Sequence, residues 1–144
     1  MSGVAVAAAL GVAVPDWRAA VRGAAGLLVE VEAATPEYVE ACVRTVEDHG
    51  PYIVLTPGLA LAHARPDGGA IRAGLAAARL AAPVEFGHPS NDPVDLVLAF
   101  SATDDGGHVA MLSGLARRLQ DGLATQLREA ATPAEMRTLL EPAA

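Results

Sequence analysis

Four imidazoles, one thiol and a scatter of carboxylates and hydroxyls are the groups in this chain that could do chemistry. Two imidazoles stand out by position. His63 sits in GLALAHARPDGG, where a small aliphatic run meets a turn, and His108 follows the turn residues Asp104, Asp105, Gly106 and Gly107. Boundaries between strands and loops are where α/β proteins assemble their sites. An imidazole, with its ordinary pKa near ~6.5, is largely neutral at pH 7 and can serve as nucleophile, proton carrier or metal ligand. Arg65 lies two residues past His63, so in a continuing strand the two side chains share a face, and the guanidinium could neutralise an anion held by the imidazole.

Other chemistries have less behind them. A metal site built from His63, His108 and Asp104 or Asp105 lacks HExxH or any comparably compact ligand spacing. Ser101 and Ser113 have no nucleophile-elbow sequence around them, and neither GxxxxGK[ST] nor GxGxxG occurs, so nucleotide binding has no motif. Cys42 is the only cysteine, which excludes an intramolecular disulfide and a multi-cysteine zinc site, and its helical context reads as a buried apolar filler. His49, near a predicted helix C-terminus, is accounted for by the helix dipole. His88, in the loop GHPSNDP, reads as structural or exposed, and neither it nor His49 belongs to the candidate site.

The elements that must position His63 and His108 can be read from periodicity and punctuation. The run GVAVAAALGVAV reads as a buried strand. Pro15 and Asp16 then open a helix with Trp17, Val21, Ala24 and Leu28 on one face, and Thr35-Pro36-Glu37 opens a second, with Val39, Val43 and Val46 as its stripe and Gly50-Pro51 as its end. Residues 52–55 read as a strand, Thr56-Pro57-Gly58 as a turn and GLALAHA as a second extended segment, followed by turn residues Pro66 to Gly69. Residues 70–82 are ambiguous, since their alanines favour helix while PVEFG after them resembles a strand. Val94 to Ala102 is the clearest strand. A helix is expected from about His108, with Val109, Leu112, Leu115 and Leu119 on one face, and Thr132-Pro133-Ala134-Glu135 starts a last short one with a capping-box pattern. Helices and strands mix along the chain, so the class is α/β.

Bulk properties narrow the field. The 144 residues suit one domain over 1–144, with a core of small aliphatic side chains, because aromatics make up only 3% of the chain. Ten basic against 17 acidic residues give a net charge of -7 with no basic cluster, which argues against nucleic acid as a partner. The apolar N-terminal run lacks a basic flank, the first arginine being Arg18, and falls short of the ~20 residues of a membrane span, so a cytoplasmic protein is expected.

Three ordered stretches carry a resemblance: GPYIVLTPGLALAHARPDGG, RLAAPVEFGHPSNDPVDLVLAFSATD and HVAMLSGLARRL. Together they resemble the enzyme IIA domains of the bacterial phosphoenolpyruvate-dependent sugar phosphotransferase system, in the mannitol/fructose superfamily and most like its ascorbate-type branch. The similarity runs from about Asp16 to about Leu140. It implies a mixed sheet flanked by helices on both sides, with residues 70–82 as a strand. It implies that His63 accepts a phosphoryl group from the phosphocarrier HPr and passes it to a cysteine of a IIB partner, the membrane component IIC being reached only indirectly. His108 matches the second active-site histidine, and His108 and Arg65 are the candidate donors to the transferring group. No metal or bound cofactor is expected, and a homodimer is compatible with related domains. The family usually has proline before the phosphorylated histidine, where this chain has Ala62. Small residues Gly58, Leu59, Ala60 and Ala62 are expected to let protein partners approach. The alternative is a regulatory IIA-like protein whose phosphorylation state controls a protein partner.

Overall fold

The computed structural model describes residues 3–141, so the outermost residues of the expected domain, 1–2 and 142–144, lie outside the described part. The elements run β1 (Ala5–Val12), α1 (Trp17–Glu30), α2 (Pro36–His49), β2 (Val54–Thr56), β3 (Leu59–Ala62), a 3-10 turn (Pro66–Gly68), β4 (Gly74–Val84), β5 (Val94–Ser101), α3 (Asp105–Gln120), α4 (Leu123–Glu129) and α5 (Pro133–Leu140). The strands form one five-stranded sheet in the order β1-β4-β5-β3-β2. β1 is parallel to β4 and β3 to β5, while β4 with β5 and β2 with β3 are antiparallel. This is the expected mixed sheet, with helices on both faces.

Side chains alternate across a strand, and here the alternation sorts them by size. Ala60, Ala62, Ala76, Ala78, Val97 and Ala99 face α1 and α2, whereas Leu59, Leu61, Leu75, Leu96, Leu98 and Phe100 face α3, α4 and α5. The larger stripe leads to the site, because the rows 59-61-63 on β3 and 96-98-100 on β5 carry on past the ladder as His63 and Phe100.

The alanine-rich segment 74–84 is a strand in spite of its helix propensity. It lies between β1 and β5, so its backbone groups are paired along both edges, and that pairing outweighs a local preference of under ~1 kcal/mol per residue. Other expectations shift. β2 starts at Val54 because residues 51–53 continue the turn, with Val54 N–H donating to the Pro51 carbonyl at 3.0 Å. α3 starts at Asp105, ahead of His108, because Asp104 caps it by accepting from Gly107 N–H at 2.6 Å. Thr35 occupies the N-cap of α2, but its hydroxyl donates to the Gly69 carbonyl at 3.1 Å and ties α2 to the turn after His63. Thr132 does cap α5, accepting from Glu135 N–H at 3.1 Å. Cys42 is buried, and burial pushes its thiol up to about 12.

Candidate functional site

His63 follows the last residue of β3, and its place is set by register. Leu61 lies opposite Leu98 and Ala62 opposite Ala99, so one step further brings His63 opposite Phe100. The two rings stack at 5.2 Å between centroids and 13° between planes. Nδ1 of His63 lies 2.9 Å from the carbonyl oxygen of Leu61. A carbonyl only accepts, so Nδ1 carries the proton and the lone pair of the neutral ring is on Nε2. That atom has no hydrogen-bond partner among the described residues and is not buried, which leaves it open to an incoming group. Burial lowers the pKa of this imidazole; the Leu61 carbonyl acts in the opposite direction, and His108 lowers it further. The ring is thereby kept neutral and nucleophilic.

His108, in the first turn of α3, completes a triangle of rings. Its centroid is 5.6 Å from His63 and 5.2 Å from Phe100, so the two histidines of the candidate site do converge. Its Nδ1 is buried without a hydrogen-bond partner among the described residues. Arg65 is placed differently. β3 ends at Ala62, and Arg65 precedes the 3-10 turn, exposed and lining a hollow of about 360 Å³ with Asp67, Thr103, Asp104 and Asp105. It lies beside the N-terminus of α3, next to the histidine pair and not within the ring cluster.

The small residues expected to admit a partner are not open to one. Leu59, Ala60 and Ala62 are buried in the sheet. At Gly58 the close approach is intramolecular: φ is +78°, and a Cβ would lie 2.9 Å from Arg128 Nη2 and 3.0 Å from Asp95 Oδ1. Exposed large apolar side chains do occur close by in the chain, with Tyr52 (48%) on the approach to β2 and Val109 (61%) and Leu112 (38%) on α3 after His108. Tyr52 meets the His63 ring edge-on at 6.2 Å. Of Val109, Leu112, Leu115 and Leu119, expected on one face of this helix, only Leu115 is buried and Leu119 is partly so. The signal of Val109 and Leu112 was indirect: large apolar residues one and four positions after a candidate site histidine.

His88 and Ser101 are spent on structure. His88 Nδ1 accepts from the N–H groups of Ser90 (3.1 Å) and Asn91 (2.9 Å). Ser101 is buried and donates to the Arg72 carbonyl at 2.8 Å. His49 is exposed in the last turn of α2. Among the described residues no three His, Cys, Asp or Glu side chains gather as a metal-ligand set, and no helix is long and apolar enough to cross a membrane.

The candidate site is thus an imidazole with one nitrogen tethered to the backbone and the other free, beside a second imidazole at the end of a mixed sheet, an arrangement in which a histidine can act as a nucleophile. The chain belongs to the family described as phosphoenolpyruvate-dependent sugar phosphotransferase system, EIIA 2, which matches residues 7–142. It is 44% identical over 92 residues to the ascorbate-specific PTS system EIIA component of Shigella boydii, a match covering 64% of this chain and 60% of that protein's own length. Among solved structures it resembles a putative PTS IIA (PtxA) from Streptococcus mutans, with a TM-score of 0.77, 33% identity and coverage of 92% of this chain and 85% of the other. It also resembles the mannitol-specific cryptic phosphotransferase enzyme IIA CmtB from Escherichia coli, with a TM-score of 0.78, 27% identity and coverage of 96% and 92%.

Proposed function

We propose that this chain is a phosphohistidine carrier in sugar uptake: His63 Nε2 takes a phosphoryl group from HPr and hands it to a cysteine of a IIB component in the cytoplasm. The observation that carries the reading is the tethered imidazole, with Nδ1–H on the Leu61 carbonyl and Nε2 free beside His108. Attack by the Nε2 lone pair forms an N–P bond as the bond to the donor's histidine breaks. Positive charge then develops on the ring, and the Leu61 carbonyl accepts from an increasingly acidic Nδ1–H, which stabilises the product and keeps the ring a ready leaving group for the next transfer. The transferring group spreads its charge over three equatorial oxygens, which need donors. His108 is the nearest, and Arg65, with no ion pair among the described residues, is the second. A well-placed donor of this kind contributes on the order of 3 kcal/mol.

Tyr52, against the His63 ring, and Val109 and Leu112, following His108 on α3, are exposed apolar side chains that a protein partner can cover, excluding water from the phosphoryl group during transfer. Both partners must present their reactive residue to the same nitrogen, so HPr and IIB bind in turn. The similarity to ascorbate-specific EIIA components points to an ascorbate-like substrate of the whole system. Phosphoenolpyruvate with enzyme I and HPr should label the protein with an acid-labile, base-stable phosphate. Absence of label, under conditions that label another IIA protein, would reject this function.

A further inference from the structure

The parallel ladder between β3 and β5 stops one rung short of where its register would carry it. The Gly58 carbonyl accepts from Leu96 N–H at 3.1 Å, whereas Leu61 N–H donates the other way, to Ile53 at 2.9 Å. Even-numbered residues of this stretch therefore bond toward β5. In parallel pairing a residue donates to the carbonyl just before its partner, and Ala62 is opposite Ala99, so the next rung joins Ala64 N–H to the Phe100 carbonyl. A tyrosine hydroxyl stands in that rung. Tyr38, reaching from α2, donates its O–H to the Phe100 carbonyl at 2.7 Å, and Ala64 N–H donates to the hydroxyl oxygen at 3.2 Å. A hydroxyl both accepts and donates, so it completes the rung while spreading the strands by the width of one oxygen. Tyr38 is fully buried, and burial raises its pKa well above the ordinary value, so the proton stays on.

The spread falls where the reacting ring sits. Ala64 directly follows His63, and Phe100 supplies both the bonded carbonyl and the ring on which His63 lies at 5.2 Å. We propose that Tyr38 is a positioning residue for phosphoryl transfer: its hydroxyl, inserted between Ala64 and Phe100, fixes the distance between the strand end that carries His63 and the ring that supports it. Transfer between two docked proteins depends on the attack geometry of Nε2, and a misplacement of about 1 Å can cost about 10²-fold. The inference rests on the reading of His63 as the phosphoryl acceptor.

Tyr38→Phe removes the hydroxyl and keeps the ring. The expected result is a folded protein whose kcat for phosphoryl transfer from HPr falls about 10-fold or more, with KM for HPr unchanged, because the exposed apolar side chains are untouched. Phe100→Leu keeps the carbonyl, and hence the bridge, but removes the supporting ring, and it should lower kcat with the same unchanged KM. A purely structural tyrosine would lower the melting temperature and leave kcat alone. Normal kcat in a folded Tyr38→Phe overturns the proposal, and so does normal kcat in Phe100→Leu, whether or not Tyr38→Phe folds. Wild type is the control: if it takes no label, the carrier function and this role fall together, whereas labelled wild type with unaffected variants condemns only the role of Tyr38.

Discussion

The end of β3 and the loop 87–93 each hold a histidine tied to the backbone through Nδ1, and they tie it in opposite senses. At His63 the partner is a carbonyl, so Nδ1 bears the proton and Nε2 keeps a lone pair facing out. At His88 the partners are two amide groups, of Ser90 and Asn91, so Nδ1 spends its lone pair as an acceptor and the neutral ring must carry its proton on Nε2. The rest of that loop is equally committed: the Asp92 carboxylate accepts from the N–H groups of Phe86, Gly87 and His88. Asn91 then links the loop to the β2–β3 hairpin through Val54 and Gly58. The backbone thus selects the tautomer, and on the function proposed above the tautomer separates a nucleophile from a structural brace.

Substitutions should separate the two regions, and the largest effect is expected at His63. His63→Ala should abolish labelling while circular dichroism stays that of wild type, since the attacking nitrogen is removed. His108→Ala should come next. Its nucleophile is intact, so the protein should still accept phosphate from HPr, while transfer onward to IIB falls by about 10²-fold. Normal onward transfer would remove His108 from the site.

A smaller effect is expected with pH. Burial and the nearby His108 hold the His63 imidazole below its ordinary value, and the neutral form is the reactive one. The acid limb of the labelling rate should therefore have its midpoint below ~6.5, and a midpoint above it would contradict the assigned environment. The same shift has a stability consequence. Below ~6.5 the unfolded chain binds the proton more readily, so the contribution of neutral His63 is complete above that pH and declines as pH falls toward the folded value; His63→Ala should flatten that stretch of the stability curve. The smallest effect on transfer is expected at His88. His88→Ala should label within about 2-fold of wild type while losing stability of about 0.5–1.5 kcal/mol, because two partly exposed backbone N–H groups exchange a protein acceptor for water. A large loss of transfer with unchanged stability would reverse the comparison.

Much of this was legible in the sequence where local chemistry and tertiary context agree. Asp16 and Thr132 cap their helices, and the apolar stripes of α1 and α2 face the sheet. His63 and His108 were marked by turn residues beside them. Legibility failed where a neighbour decided the outcome. Segment 70–82 needed the flanking strands, since its alanines alone favour helix. Thr35 looks like a helix cap and is diverted to Gly69, and α4 follows Gly122 without any side-chain cap to announce it. Phe100 and Tyr38 carried no signal at all. Each looks like an ordinary core residue, and their roles appear only when the register places one beneath His63 and the other between the strand ends.

The claim at the centre of this account is that the Leu61 carbonyl fixes the proton on Nδ1 and so presents Nε2 of His63 to the phosphoryl donor. Long-range proton–nitrogen NMR correlations on the histidine rings, recorded before and after phosphorylation, test it directly. The expected result is the Nδ1–H tautomer at His63 before transfer, the Nε2–H tautomer at His88 throughout, and after transfer a phosphoryl group on Nε2 of His63 alone. Phosphate on Nδ1 of His63, or on any other histidine, would contradict it.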